Sequence, residues 1–292
     1  SFPTKPIRIV ASAPGGAGDI ASRQLSPGLS ESLGQPVIID NRGGVLGDLV
    51  VKAPADGYTL LIDSGGFWLS PYIQKMSYDP VKDFSPITLL TSSPNILVLH
   101  PSVSANSVKE LIALAKTRPG SFNYGSAGVG AINHLAVELF KSMAGVDFVH
   151  VPYKGAGPAV IDLIGGQLQL MIASAPSVAP HIKSGKVRAL AVTTSNPSLL
   201  VPGVPTIAAS GLPGFEAATF MAMFAPVRTP EAVIKRLNQE IVRVLKGADV
   251  KERLFNAGAE VVGNSTEEFA AKLKSEIEKW SRVIKDGGIK GD

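Results

Sequence analysis

Two stretches of this chain follow one plan, and that plan limits the folds open to it. Residues 7–25, "IRIVASAPGGAGDIASRQL", pass from an apolar β-branched run through a glycine turn into a helical pattern. Residues 122–140, "FNYGSAGVGAINHLAVELF", do the same with Gly125, Gly128 and Gly130 in the turn. β-Branched apolar runs suit strands buried in a sheet, and glycine-rich punctuation marks the turns between elements. Each junction puts backbone N–H groups and the positive end of a helix at the carboxyl edge of a sheet, where α/β proteins bind ligands. Two such edges facing each other make a cleft that grips an anion from both sides.

The rest of the chain continues the alternation. "PVIIDN" (36–41), "YTLLIDS" (58–64) and "NILVLH" (95–100) read as strands, the last closing a first section. Residues 19–33 read as a helix interrupted at Pro27–Gly28. From 107 a helix, "SVKELIALAKT", opens a second series. It continues with "VDFVHV" (146–151), a helix near 157–165, "LQLMIA" (168–173) and "VRALAVT" (187–193). Long helices then return: Thr229 is placed as an N-cap with Pro230 at the first helical position, opening a helix through Leu245. Ser265 and Glu268 have capping-box spacing, and Phe269, Leu273, Ile277, Trp280 and Ile284 form a core-facing stripe. Alternating strands and helices imply parallel sheets covered on both faces, and 292 residues suffice for two domains.

Several chemistries are excluded or weakened by what the chain contains. It has no cysteine, which removes thiolate catalysis, Fe–S clusters and disulfides. Its net charge of +4 comes without a dense basic tract, so nucleic acid is not an expected partner, while a mild attraction for small anions remains. The histidines His100, His134, His150 and His181 never stand at metal-ligand spacing. No apolar run is long enough to span a bilayer, and the Ser1–Phe2–Pro3 start fits a removed signal peptide or a trimmed terminus.

Two enzymatic readings are open at the glycine loops. Gly16, Gly18 and Ala21 fit a dinucleotide fingerprint, with Asp40 ending the next strand. Pro14 and Gly15 distort that fingerprint, and Asp19 sets a carboxylate where a pyrophosphate would lie. Ser126 sits on a strand-to-helix turn as a nucleophile elbow requires, with Asp147, His150, Asp162 and His181 downstream, but Tyr124 breaks the G-x-S-x-G pattern. "VPYKGAGPA" (151–159) adds Tyr153 and Lys154 at another strand end, as donors on a rim or as an ordinary surface turn. His134, at the first turn of its helix, either contacts an anion or caps and packs.

"KPIRIV…PGGAGD", "LGQPVIIDNR", "DGYTLL", "YDPVKDFSPITLL", "NYGSAGVGAINHLAVELFKSMAGVDFVHVPYKGAGPAVIDLIGGQL", "SGKVRALAVT" and "VPTIAASGLPGFEA" occur in an order that resembles the periplasmic solute-binding proteins of tripartite tricarboxylate transporters, the Bug or TctC-like family. The resemblance runs from about residue 3 to residue 290. It implies an α/β protein of two domains with the periplasmic-binding-protein (Venus flytrap) fold, each domain a mostly parallel sheet flanked by helices. One domain would take residues 1–99 plus 225–292 and the other 100–224, with the ligand cleft between them. It implies a binding protein and not an enzyme, a monomer without cofactor or metal, which captures a small carboxylate in the periplasm and presents it to membrane subunits.

The positions matching the family's contact loops are Pro14, Gly15, Gly16, Ala17 and Asp19; Ser64, Gly65, Gly66 and Phe67; Ser126, Ala127, Gly128, Gly130, Ala131, Ile132 and His134; Tyr153, Lys154 and Gly155; and Ser174. Some of these depart from the family pattern. Ala131 and Ile132 replace hydroxyl residues, Ala173–Ser174 stands for an Asp–Asn pair, and Phe67–Trp68 occupies a commonly small, polar loop. The glycine-rich segment after Asn41–Arg42 is shortened. These departures imply a ligand with an apolar or aromatic body, walled by Phe67 or Trp68.

Overall fold

The apolar runs form strands and the amphipathic runs pack on them, so the element order follows the alternation in the sequence. A computed structural model describes residues 2–42 and 46–291, and the shortened segment after Arg42 lies outside the described residues. By its contacts the chain divides into two units, Ser1–Ser92 with Phe220–Lys279, and Ser93–Thr219 with Trp280–Asp292.

The first unit opens with β1 (Ile7–Ala11), α1 (Ala17–Leu33), β2 (Val37–Asn41), α2 (Leu46–Val50), β3 (Thr59–Ser64), α3 (Gly65–Ile73) and β4 (Phe84–Ser93). The second contains β5 (Asn95–Leu99), α4 (Val108–Thr117), β6 (Asn123–Ser126), α5 (Ile132–Ala144), β7 (Val149–Pro152), α6 (Ala156–Ile164), β8 (Leu170–Ser174), α7 (Ala175–Lys183) and β9 (Arg188–Val192). The chain returns to the first unit through β10 (Thr219–Pro226), α8 (Glu231–Leu245), α9 (Ala248–Asn256), β11 (Glu260–Val261) and α10 (Thr266–Asp286), and the end of α10 joins the second unit.

The first sheet has the order β11-β4-β10-β3-β1-β2, and the second β7-β6-β8-β5-β9. β2, β1 and β3 are parallel, as are β7, β6 and β8, because each successive pair is joined through a helix. β10 runs antiparallel to β3, and β5 antiparallel to β8 and β9. Both β5 and β10 arrive from the other unit, so no helical crossover fixes their direction.

Three expectations are corrected here. "NILVLH" does not close the first section: as β5 it is a central strand of the second sheet, buried on both faces. An apolar run buried on both faces reads the same in either sheet, which is why the sequence misplaces it. The return strand covers Thr219–Pro226, across the domain division expected at 225, and the tail from Trp280 groups with the second unit. Nor is α1 interrupted at Pro27–Gly28. Pro27 sits inside a continuous helix on its exposed side, where water serves the carbonyl that loses its amide partner. Gly28 is there for packing: a Cβ on it would stand 2.8 Å from Cγ1 of Val244 on α8.

The capping signals read at the last helices are met at α10 and not at α8. Ser265 and Glu268 form the reciprocal box, Glu268 N donating to Ser265 Oγ (3.1 Å) and Ser265 N to Glu268 Oε2 (2.9 Å). The stripe from Phe269 to Ile284 is buried as expected. At α8, however, Pro230 itself is the N-cap, and the Thr229 hydroxyl donates to the Pro226 carbonyl instead. The first core gathers Ile7, Ile9, Leu25, Leu60 and Ile62 with Leu237 and Ile241, and the second Ile96, Val98, Leu163, Met171 and Val192.

Candidate functional site

In the second unit the adjacent parallel strands β7, β6 and β8 each end at the start of a helix, α6, α5 and α7 respectively. Their N-cap residues are Gly155, Ala131 and Ser174, and none makes a side-chain capping bond. α4 follows the antiparallel β5 and so begins at the opposite edge of the sheet. It is capped by its own Ser107, whose side chain accepts from Glu110 N at 3.2 Å. First-turn N–H groups have no partner inside a helix, so the carboxyl edge concentrates three uncapped helix starts. That is an anion-binding arrangement built from backbone alone.

The β6–α5 loop is fixed largely by its own side chains. Ser126 N–H-side neighbours show this clearly: Ala127 N donates to Asn133 Oδ1 (3.2 Å), Gly128 N to Ser126 Oγ (3.2 Å) and Gly130 N to His134 Nδ1 (3.0 Å). Ala131 N reaches the Gly128 carbonyl at 3.3 Å. Gly128 and Gly130 have φ of +140° and +78°, which favours glycine at both. Gly125 serves packing, since a Cβ there would lie 2.5 Å from Leu168 Cδ1 and 3.2 Å from Ala159 Cβ. The amides expected to grip a ligand across 126–132 are therefore mostly engaged within the loop. Those presented by helix geometry are the first-turn amides of α5, from Ile132 to His134.

Ser126 Oγ lies 2.7 Å from His150 Nε2, so the structure does bring together one of the pairs a hydrolase reading requires. Ser126 is fully buried, and its hydroxyl is also within 3.0 Å of the Gly128 carbonyl. His150 packs between rings, with Tyr124 at 4.8 Å and His134 at 3.9 Å. Glu138 takes the Tyr124 hydroxyl (2.6 Å) and the Lys141 ammonium (2.9 Å). This is a packed polar cluster that shapes a loop, and a substrate carbonyl has no approach to the serine oxygen. Burial, and then the neighbouring imidazole of His150, hold the His134 pKa down to about 4; burial lowers that of His150 too.

The other second-unit positions separate into backbone and side-chain roles. Tyr153 does not offer its phenol to a rim: it donates to Asp162 Oδ2 at 2.6 Å, and burial together with that carboxylate pushes its pKa up to about 12. Gly155, at φ +112°, gives its N–H to Ala127 O (3.1 Å) and ties two of the junctions together. Lys154 is exposed. Ser174 Oγ donates to Ser177 Oγ at 3.0 Å.

In the first unit, the loop before α1 already holds an anion of its own. The buried Asp19 carboxylate accepts from Gly15 N (2.9 Å), Asn41 Nδ2 (2.9 Å) and Arg23 Nε (2.8 Å). The Gly15 amide bond, aided by Arg23 and Asn41, holds its pKa below the usual carboxylate range against the effect of burial. Gly16 N is used by the Ala13 carbonyl. Of residues 14–19, only the helix-start amides around Ala17 and Gly18 are presented by geometry.

At the β3–α3 junction Ser64 is an N-cap without a side-chain bond, and Gly65 and Gly66 open the helix. Phe67 and Trp68 are not an apolar ligand wall. Phe67 is buried among Tyr78 (5.3 Å), Phe84 (4.9 Å) and Phe224 (5.0 Å), and Trp68 packs on Phe224. A cavity of about 640 Å³ between α1, α8 and α9 lies away from these junctions; in its lining Arg253 pairs with Asp249, while Arg243 is paired with Glu240 outside it. Among the described residues no cluster of His, Asp and Glu has the makings of a metal site, and no helix is long and apolar enough to cross a membrane.

Sequence reasoning missed Asn41, Asn133, Tyr124 and Glu138, all of which act through partners on other elements. Only register reveals them: Tyr124 stands opposite His150 in the β6–β7 pairing.

Known proteins are similar to this chain in sequence and in fold. Residues 21–289 match the family described as "Tripartite tricarboxylate transporter family receptor". BugT of Bordetella pertussis is 38% identical, over 99% of this chain and 91% of its own. Among solved structures, R. palustris Rpa4515 with adipate is 36% identical with a TM-score of 0.80, covering 99% of both chains. MatC (Rpa3494) from Rhodopseudomonas palustris with bound malate is 31% identical with a TM-score of 0.76, covering 97% of this chain and 100% of its own. With its two α/β units, its uncapped helix starts and a family match over most of its length, the chain belongs to the TctC (Bug-type) receptors of tripartite tricarboxylate transporters.

Proposed function

We propose that this protein is an extracytoplasmic receptor that captures a small carboxylate and delivers it, unchanged, to the membrane subunits of a tripartite transporter. The observation that carries this reading is the contrast within the second sheet. The three helices starting at the carboxyl edge of β7, β6 and β8 lack side-chain caps, while the helix starting at the other edge has one. The carboxylate is held by the first-turn amides of α5, with those of α6 and α7 beside it. In the first unit the starts of α1 and α3 offer amides of the same kind. Neither glycine loop contains lysine or arginine, so charge-assisted bonds to backbone N–H groups, each about 1.5–3 kcal/mol, supply the recognition.

A relative at 36% identity that holds adipate supports a ligand with an apolar body, and Ala131 and Ile132 offer no hydroxyl to a more polar one. The apolar contact comes from such small side chains, because Phe67 and Trp68 are committed to the core. Functioning as a monomer, with no cofactor, belongs to the same proposal.

Calorimetry with adipate, adipamide, benzoate, malate and citrate tests it. Binding of adipate or benzoate in the micromolar range, about −8 kcal/mol, with adipamide at least about a hundredfold weaker, is the expected result. Equal binding of acid and amide would remove the carboxylate from the reading, and tighter binding of citrate would overturn the apolar body. The 2.7 Å contact between Ser126 and His150 is the one feature a hydrolase reading would share, and the complete burial of Ser126 argues against that reading. Turnover of an aliphatic or aryl ester that disappears in Ser126→Ala would establish that reading; ester recovered intact is the expected outcome.

A further inference from the structure

His134 stands one turn into α5 with its ring closed in by other elements. His150 from β7 stacks on it at 3.9 Å and 9°, and Tyr124 from β6 lies 6.2 Å away. Its Nδ1 accepts the Gly130 amide at 3.0 Å, so that nitrogen carries no proton and the neutral ring holds its hydrogen on Nε2. The charged groups that bear on the pair are Glu138 and Lys141 on α5 itself, with Asp147 ahead of β7 reached through Lys141 (3.8 Å). Glu138 is occupied by Tyr124 and Lys141, so it offers little to a new cation.

The two imidazoles are not equivalent. His150 can take a proton and keep its contacts, because Nε2–H then donates to Ser126 Oγ while the serine hydroxyl donates to the Gly128 carbonyl. Protonated His134 cannot: an N–H at Nδ1 faces the Gly130 N–H, and the hydrogen bond is lost. The Gly130 amide ties α5 to the turn at φ +78°, beside the bond from Ala127 N to Asn133 Oδ1.

We infer that His134 is a proton-sensitive positioning residue, which as the neutral ring locks the 128–131 turn through the Gly130 amide and on protonation releases that turn together with a carboxylate held at the start of α5. The inference rests on the proposed receptor function for the ligand half, but the hydrogen-bond half stands independently. The low pKa of His134, about 4, places the transition well below neutrality.

The experiment has a ligand-free arm and a ligand arm. In the free protein, the Gly130 amide resonance followed by NMR from pH 7 to pH 3.5 is expected to move with the same midpoint as the His134 ring protons. In His134→Asn, whose side-chain oxygen takes the place of Nδ1 and cannot titrate, that transition should vanish. In the ligand arm, adipate affinity of the natural protein should fall by about tenfold more than that of His134→Asn at one pH unit below the midpoint, as the competent fraction falls to about one in ten. Protonation of adipate itself is common to both proteins and cancels in the ratio. His134→Leu, lacking any acceptor, should bind adipate more weakly than His134→Asn at pH 7. A Gly130 amide indifferent to the His134 titration, equal pH dependence of both proteins, or equal affinities of the Asn and Leu variants would overturn the inference. A protein that binds none of the acids at pH 7 would remove the receptor reading alone, and the ligand-free arm would still decide the role of His134.

Discussion

Asp63 and His134 titrate in the same pH range and act on stability with opposite signs. Burial depresses His134 to about 4 from an ordinary 6.5, so the unfolded chain binds its proton first. Stability from this group is complete above pH 6.5 and is lost as pH falls toward 4. Burial raises Asp63 to about 6, partly offset by the Ser64 N–H. Its contribution is complete below about 3.8 and is lost as pH rises through 6. Each shift is worth about 3 kcal/mol, and His150, lowered by burial as well, acts on the side of His134, so in urea unfolding Asp63 offsets only part of the stability that the histidines lose as pH falls from 6.5 to 4. Asp63→Asn should leave a profile that rises more steeply with pH across this window, and a slope no steeper than that of the natural protein would show that Asp63 is not raised. Asp19 acts lower. Its carboxylate contributes above pH 3.8 and loses that contribution as pH falls below it, so Asp19→Asn should cost about 2 kcal/mol at pH 7 and progressively less below pH 4. Gly130→Ala, forced into φ +78°, should cost about 1–2 kcal/mol and weaken adipate binding as well.

At the scale of elements, α1 provides a pair of neighbouring substitutions whose outcomes propensity alone would get half right. Pro27→Ala restores an amide on the exposed face of a continuous helix and should stabilise by about 1 kcal/mol or more. Gly28→Ala also improves propensity, but its Cβ meets Val244 at 2.8 Å, so overpacking of about 1–3 kcal/mol prevails and the variant is destabilised. Thermal unfolding of the two variants distinguishes them by sign. β5 is held at its start by Asn95, whose side chain donates to the Ala217 carbonyl (3.0 Å) and Thr219 Oγ1 (3.1 Å). That side chain ties the entry into the second unit to the segment that leaves it. Asn95→Leu strands a buried carbonyl and should cost about 1–3 kcal/mol.

For the whole molecule, α10 is divided between the units, Phe269 lying in the first and Trp280 and Ile284 in the second. Trp280 is almost completely buried, and Trp280→Ala should destabilise by about 3–5 kcal/mol. Hydrogen exchange should then report the loss chiefly in residues 93–219. A bound carboxylate acts in the other direction: adipate at a hundred times its Kd should raise stability by about 2.7 kcal/mol. A thermal shift absent with every acid tried would count against the receptor reading.

The sequence by itself determined the alternation of strands and helices, the capping box at Ser265, the buried stripe of α10 and the family, because each is written in local spacing or in residue order. The strand-to-helix junctions were legible for the same reason, since glycine turns after β-branched runs are local signals. Tertiary structure alone decided which sheet receives β5 and β10, for an apolar run buried on both faces encodes neither partner nor direction. It also decided that Phe67 and Trp68 face a core: which side of a helix is covered depends on Tyr78, Phe84 and Phe224, distant in the chain. The same holds for the glycine loop. Its glycines announce a turn, but which of its amides remain for a ligand depends on Asn133, His134 and a β6–β7 register that sets His150 beside Ser126. Hydrogen bonds are won by whichever partner the fold brings within about 3 Å, and that proximity exists only once the sheet has formed.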